Sequence, residues 1–183
     1  INQYSTLEIG PEKLSSLEMG YIYEELLRRF SEKNAEEAGD HFTPREIIRL
    51  MVELLEIPIP ERHTSIYDPA CGTGGMLFIA KEHLLEKANT EEERERIHRF
   101  ITLHGTELKS DTYAVAKSEA LIRAEKQTFI HWGNSLIQHD PQTNDPGDQF
   151  PETNKANHFD FMLSNPPFGG TWGGKDGYQD QAE

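Results

Sequence analysis

Thr64-Ser65-Ile66-Tyr67-Asp68-Pro69-Ala70-Cys71-Gly72-Thr73-Gly74-Gly75 is the stretch on which the fold of this chain turns. It predicts a strand, Thr64–Asp68, a glycine-rich bend, and a helix over residues 76–87. Glycine lacks Cβ and tolerates positive φ, so the bend lets the backbone approach a ligand closely. The spacing is not that of the six-residue dinucleotide fingerprint, and no lysine follows as in a P-loop, which disfavours a phosphate cradle. Asp68 closes the strand instead. A carboxylate there can pair with the amino group of an amino-acid moiety, or it can cap the next helix, and the two roles are compatible.

Three more strands are expected downstream, Ile101–Glu107, 128–134 and 159–164, with helical patterns over 76–87 and 112–125 filling the first two gaps. Alternation of strand and helix argues for an α/β fold with a parallel sheet and right-handed crossovers. In such a sheet ligands bind beyond the carboxyl ends of the strands, where strand order reverses. A polar residue stands at each of those ends: Asp68, Glu107, Asn134 and Asn165. Glu107 is placed to accept ribose hydroxyls, unless it is simply a solvated surface carboxylate. His104, inside its strand, reads as a packed histidine rather than a catalyst. No His/Cys cluster has metal-ligand spacing, so no metal is expected.

Ahead of the first strand, residues 14–38 read as a helix, with Met19, Ile22, Tyr23, Leu26 and Phe30 at three- and four-residue steps and Gly39-Asp40 as its end. Thr43-Pro44-Arg45-Glu46 then reads as a second helix start. Thr43 is expected to cap, Pro44 to take the first helical position and Glu46 to close a capping box. The charged stretch 91–99 is expected to be a solvated helical face. Residues 138–157 read as a long loop and 169–177 as a glycine-heavy flexible segment.

The second informative stretch is Phe159-Asp160-Phe161-Met162-Leu163-Ser164-Asn165-Pro166-Pro167-Phe168. An apolar run ends at an amide and two prolines, which lack N–H groups and stop the strand. What remains there is an amide side chain, stiff carbonyls and a flat ring. Such groups accept both hydrogens of a planar exocyclic amine and stack on its ring. The bland alternative is a proline strand terminator with a surface phenylalanine.

With 183 residues the chain fits one domain. Its net charge of −14 makes it a poor autonomous nucleic-acid binder, although a local basic strip is compatible with an acidic whole. The single cysteine, Cys71, cannot form an internal disulfide, and a reducing cytosol is the simplest setting. No apolar run approaches the roughly 20 residues that span a bilayer. A start at Ile1 rather than Met leads us to expect a fragment.

In this order, the glycine-rich turn and the Asn165-Pro166-Pro167-Phe168 segment resemble the S-adenosylmethionine-dependent DNA adenine-N6 methyltransferases, in particular the modification subunits of type I restriction–modification systems. The resemblance runs from about residue 17 to 170. It implies a Rossmann-like methyltransferase fold, here truncated after the fourth strand, with residues 1–40 as an N-terminal helical segment and 41–183 as the first part of the catalytic domain. It implies S-adenosylmethionine as cofactor. Thr43 and Pro44 would contact its methionine part, Asp68, Gly72 and Gly74 would form the glycine-rich motif, Glu107 would bind the ribose, and Asn134 would meet the adenine edge, where the family usually carries Asp. Asn165, Pro166, Pro167 and Phe168 would receive a flipped adenine. The implied partners are DNA, a specificity subunit and a restriction subunit, in the cytoplasm. Competing readings are a same-fold enzyme acting on protein glutamine, cytosine N4 or an RNA base, and a non-catalytic assembly module.

Overall fold

The computed structural model describes residues 43–137, 146–148, 150 and 158–167, with scattered positions between Lys13 and Arg29. Its centre is a parallel four-stranded sheet in the order β3-β2-β1-β4, built from β1 (Thr64–Asp68), β2 (Ile101–Glu107), β3 (Thr128–Trp132) and β4 (Phe161–Met162). Five helical elements were expected. Four are described in full: α1 (Arg45–Leu54), α2 (Gly75–Lys87), α3 (Glu91–Phe100) and α4 (Ser110–Ile122). The fifth expectation, over 14–38, falls mostly outside the described residues; Glu18, Met19, Tyr21, Ile22, Glu25, Leu26 and Arg29 are helical. The 169–177 segment lies outside them altogether.

Side chains alternate across a strand, so each strand contributes to both faces of the sheet. Ile66, Leu103 and Ile130 join Leu77, Phe78, Leu84 and Ile97 in the main core. Tyr67 and His104, at the alternate positions, meet Phe150 and Phe159 in an aromatic cluster, with Tyr67 and Phe159 stacked at 4.3 Å and Phe129 stacked on His104. The long polar segment 138–157 is therefore not all free loop: Phe150 seats edge-on against Tyr67, His104 and His131. Asp148 N–H also returns to Ile137 O at 2.7 Å.

β4 is far shorter than expected, two residues in place of six, and a side-chain contact distant in sequence accounts for it. The Asp160 carboxylate accepts from both Ser65 N–H (2.9 Å) and Ser65 Oγ (3.0 Å), and it pairs with Arg62. A side chain thus satisfies the β1 backbone where a ladder bond would otherwise form. β3 stops at Trp132, two residues early, because Gly133 and Asn134 turn the chain away. A Cβ on Gly133 would lie 2.5 Å from Gly147 O.

The charged stretch does form an exposed helix, α3, with Thr90 and Glu93 closing a capping box. The box expected at Thr43 is absent: Pro44 is the N-cap of α1, with no side-chain hydrogen bond to the helix. α1 lies beside α2 through Arg45–Glu82, Arg49–Glu86 (2.5 Å) and Glu53–Lys87 (2.8 Å). Buried Glu82 also receives the Tyr21 hydroxyl, and buried Lys81 pairs with Glu125 at 2.5 Å.

His104 sits among rings with no hydrogen-bond partner for Nδ1 among the described residues. Burial, reinforced by His131 and His63, holds its pKa down to about 4. Its neutral form is favoured in the fold, so the stability it protects is present above its ordinary pKa and lost as pH falls toward 4. His104→Phe should flatten the fall in melting temperature between pH 6.5 and 4; an unchanged slope would show that another group carries it.

Candidate active site

β1 and β2 pair from Thr64↔Ile101 to Asp68↔Gly105, so the carboxyl ends of the two central strands are nearly level. The chain leaves β1 through Pro69 and turns back over β2. Cys71 N–H bonds to Thr106 O at 2.9 Å, and Gly72 N–H bonds to the Glu107 carboxylate at 2.9 Å. Gly72 (φ +56°) and Gly74 (φ +89°) both hold left-handed backbone. At Gly74 a Cβ would also lie 2.6 Å from the Phe78 ring, whereas at Gly72 it would meet nothing within 4 Å. One glycine therefore serves packing, and the other faces open space. Gly74→Ala should cost about 1–3 kcal/mol in stability, read as a lowered denaturation midpoint; a neutral result would mean the turn relaxes.

Two buried carboxylates border this bend. Asp68 accepts from Ala70 N–H at 3.0 Å, closing an Asx-type turn. Burial, with Glu107 adding repulsion, pushes its pKa up to about 7. The Ser164 hydroxyl partly offsets that rise, although it makes no hydrogen bond of ordinary geometry. Glu107 accepts from Gly72 N–H and from Lys109 N–H at 2.7 Å. Cys71 is buried, and burial beside Asp68 and Glu107 holds its thiol well above the ordinary range, which makes it an unreactive packing residue.

The other strand ends converge here. Gly133 N–H bonds to Glu107 O at 3.0 Å, buried Asn134 accepts from Leu136 N–H, and Ser135 Oγ donates to Pro69 O at 2.8 Å. β4 lies next to β1, with Leu163 N–H on Tyr67 O, and β1 and β4 flank the point where strand order reverses. Asn165, half-buried, follows directly, and its Nδ2 donates to Thr43 Oγ1 at 3.0 Å. Pro166 and Pro167 are exposed. The arrangement offers a closely approachable backbone, two buried carboxylates and a half-buried amide near the strand ends.

Residues 15–182 match the family model described as N-6 DNA Methylase. The chain belongs to that family. It is 31% identical over 172 residues to the type I restriction enzyme EcoEI methylase subunit of Escherichia coli, covering 93% of this chain and 31% of that protein. Against a structure from Vibrio vulnificus, described as a modification subunit of a type I restriction enzyme, identity is 32% with a TM-score of 0.65. That match covers 93% of this chain and 32% of the other. The type I methyltransferase subunit from Streptococcus thermophilus, 21% identical, matches with a TM-score of 0.70 over 98% of this chain and 33% of its own, a likeness of fold. The chain thus spans about a third of the length of the relatives it matches.

Within this chain of the N-6 DNA Methylase family, Asp68, Gly72, Gly74, Glu107 and Asn134 gather around one bend. Thr43 and Asn165 meet each other, and Pro44 starts α1 beside them. Phe168 lies outside the described residues. Sequence reading missed Ser164, turned toward Asp68, and the Ser135–Pro69 bridge. No local pattern signals either one: strand alternation would put Ser164 on the face of Met162 and Tyr67, opposite to that of Asp68.

Because Asp68 is more basic in the fold than in the unfolded chain, its contribution to stability is present at low pH and lost as pH rises through about 7. Asp68→Asn should therefore melt higher than the parent at pH 8, with the gap narrowing toward pH 4; a gap independent of pH would contradict a raised Asp68.

Proposed function

We propose that this chain is the first part of the catalytic domain of a type I modification subunit, and that the complete protein methylates adenine N6 in DNA with S-adenosylmethionine. The observation that carries the reading is the convergence of buried Asp68 and Glu107 around open Gly72, with Asn165 at the adjoining strand end. The residues suit the cofactor. Asp68 would hold its amino group, Glu107 its ribose hydroxyls and Asn134 its adenine edge, while space above Gly72 admits it without a Cβ clash. Pro44, at the start of α1, would border its methionine part.

When bound, S-adenosylmethionine supplies an electrophilic methyl group on a sulfonium. The chain's own residues would prepare the nucleophile. An adenine N6 lone pair is delocalised into the ring, so the amine is weak until its hydrogens are held. Asn165 Oδ1 and the Pro166 carbonyl would accept one each, favouring a pyramidal nitrogen over the flat ground state. Pro167 would stiffen the segment, and Phe168 would stack on the base, contributing on the order of 1–3 kcal/mol. Inside a duplex N6 is paired, so the base would be flipped out.

Residues 1–40 would form a helical segment ahead of the catalytic domain in 41–183. With a net charge of −14, DNA sequence recognition would fall to a separate specificity subunit and cleavage to a restriction subunit, all in the cytoplasm. Calorimetric titration with S-adenosylmethionine should show binding that tightens as pH rises through about 7, where Asp68 becomes anionic. Asp68→Asn should remove that dependence, and binding equally tight at pH 5.5 and 8 would remove Asp68 from the site. In the full-length protein with its partners, Asn165→Ala should slow methyl transfer by about 10²- to 10³-fold with cofactor affinity unchanged; loss of both together would reassign Asn165.

A further inference from the structure

We propose that Thr43 is a positioning residue, whose hydroxyl locks the Asn165 amide with its oxygen toward the substrate amine. The inference rests on the role given above to Asn165, and it gives Thr43 a task other than contact with the cofactor. An Asn side chain has two faces of opposite character, an acceptor oxygen and a donor nitrogen, and its terminal torsion is soft. Only the oxygen side can accept a hydrogen from an exocyclic amine; the nitrogen side would meet it donor to donor. A site of this kind needs something to choose between them. Thr43 Oγ1, 122 positions away in sequence and 3.0 Å away in space, accepts from Nδ2.

Three features make this contact a lock. First, the Thr43 hydroxyl has no capping duty: in the first turn of α1 Ile47 N–H and Ile48 N–H both bond to Pro44 O, and no side-chain cap is made at the N-cap. Second, Thr43 stands on a stiff mount. Pro44 holds φ at −55°, and α1 is tied to α2 by Arg45–Glu82, Arg49–Glu86 and Glu53–Lys87. Third, Asn165 precedes Pro166, which confines its backbone to extended conformations. The side-chain torsions are the main freedom left, and the contact between Nδ2 and Thr43 Oγ1 restrains them with Oδ1 on the other side. Among the described residues Asn165 has no other side-chain partner.

Thr43→Val keeps the shape and deletes the hydroxyl, while Thr43→Ser keeps the hydroxyl. In the full-length enzyme with its partner subunits, Thr43→Val should lower kcat about 10- to 100-fold, with the dissociation constant for S-adenosylmethionine changed less than about threefold. Thr43→Ser should recover most of the rate. Weakened cofactor binding with kcat intact would overturn the proposal and return Thr43 to the cofactor, as would equal damage from both variants. A readout independent of activity is the Asn165 conformation in crystal structures of the parent and Thr43→Val proteins. A side chain that keeps its place without the hydroxyl overturns the lock; a rotated or disordered amide supports it. Should the parent methylate some amine other than adenine N6, the function proposed above fails, while the amide conformation and the rate measured on that amine still decide the role of Thr43.

Discussion

The parallel pairing of β1 with β2 is the constraint on which everything else depends. Both strands are buried along almost their whole length, so their backbone groups must find each other. Register is then fixed from Thr64↔Ile101 to Asp68↔Gly105, and with it the level at which Asp68 and Glu107 emerge. A slip of one residue would exchange Ile66 for Tyr67, or Leu103 for His104, on the core face. Gly105 is part of the same fit: a Cβ there would lie 2.8 Å from Cys71 Sγ, so the turn after β1 can fold down only over a glycine.

The helices then act as mounts for the rim of the crevice. α2 is buried through most of its length, including Lys81 and Glu82, whose charges are matched by Glu125 and Arg45. Partnered charges at such depth do little for net stability, but leaving one unpaired is costly, so they specify which helix lies where. Glu82 shows this best, since it draws both Arg45 of α1 and Tyr21 of the N-terminal region to one spot. The rim residue Thr43 inherits its place from that packing.

Much of this was legible in the order of residues. β1 and β2 are short buried runs bounded by polar ends and turns, and their limits coincide with the expected ones. The strand-end carboxylates and the glycine bend followed from the same reading. Where expectation and structure part, a contact distant in sequence is responsible. Asp160 replaces ladder bonds on β1 and so shortens β4, and Gly147 crosses over Gly133 and so shortens β3. Thr43-Pro44-Arg45-Glu46 has the composition of a capping box, but its hydroxyl is engaged by Asn165 instead. Local propensity is blind to a competitor from the far end of the chain. α4 likewise begins at Ser110 and ends at Ile122, each two or three residues before the periodic pattern.

The clasp of Glu107 on Gly72 N–H and Lys109 N–H has a kinetic meaning. It holds the bend after β1 in its ligand-accepting shape from within the protein, through backbone hydrogen bonds that require no ligand. A molecule arriving over Gly72 meets a surface already arranged and loses little additional chain entropy on docking. Its arrival would be governed by diffusion and charge rather than by loop closure, and its residence time would respond chiefly to the contacts that it makes itself.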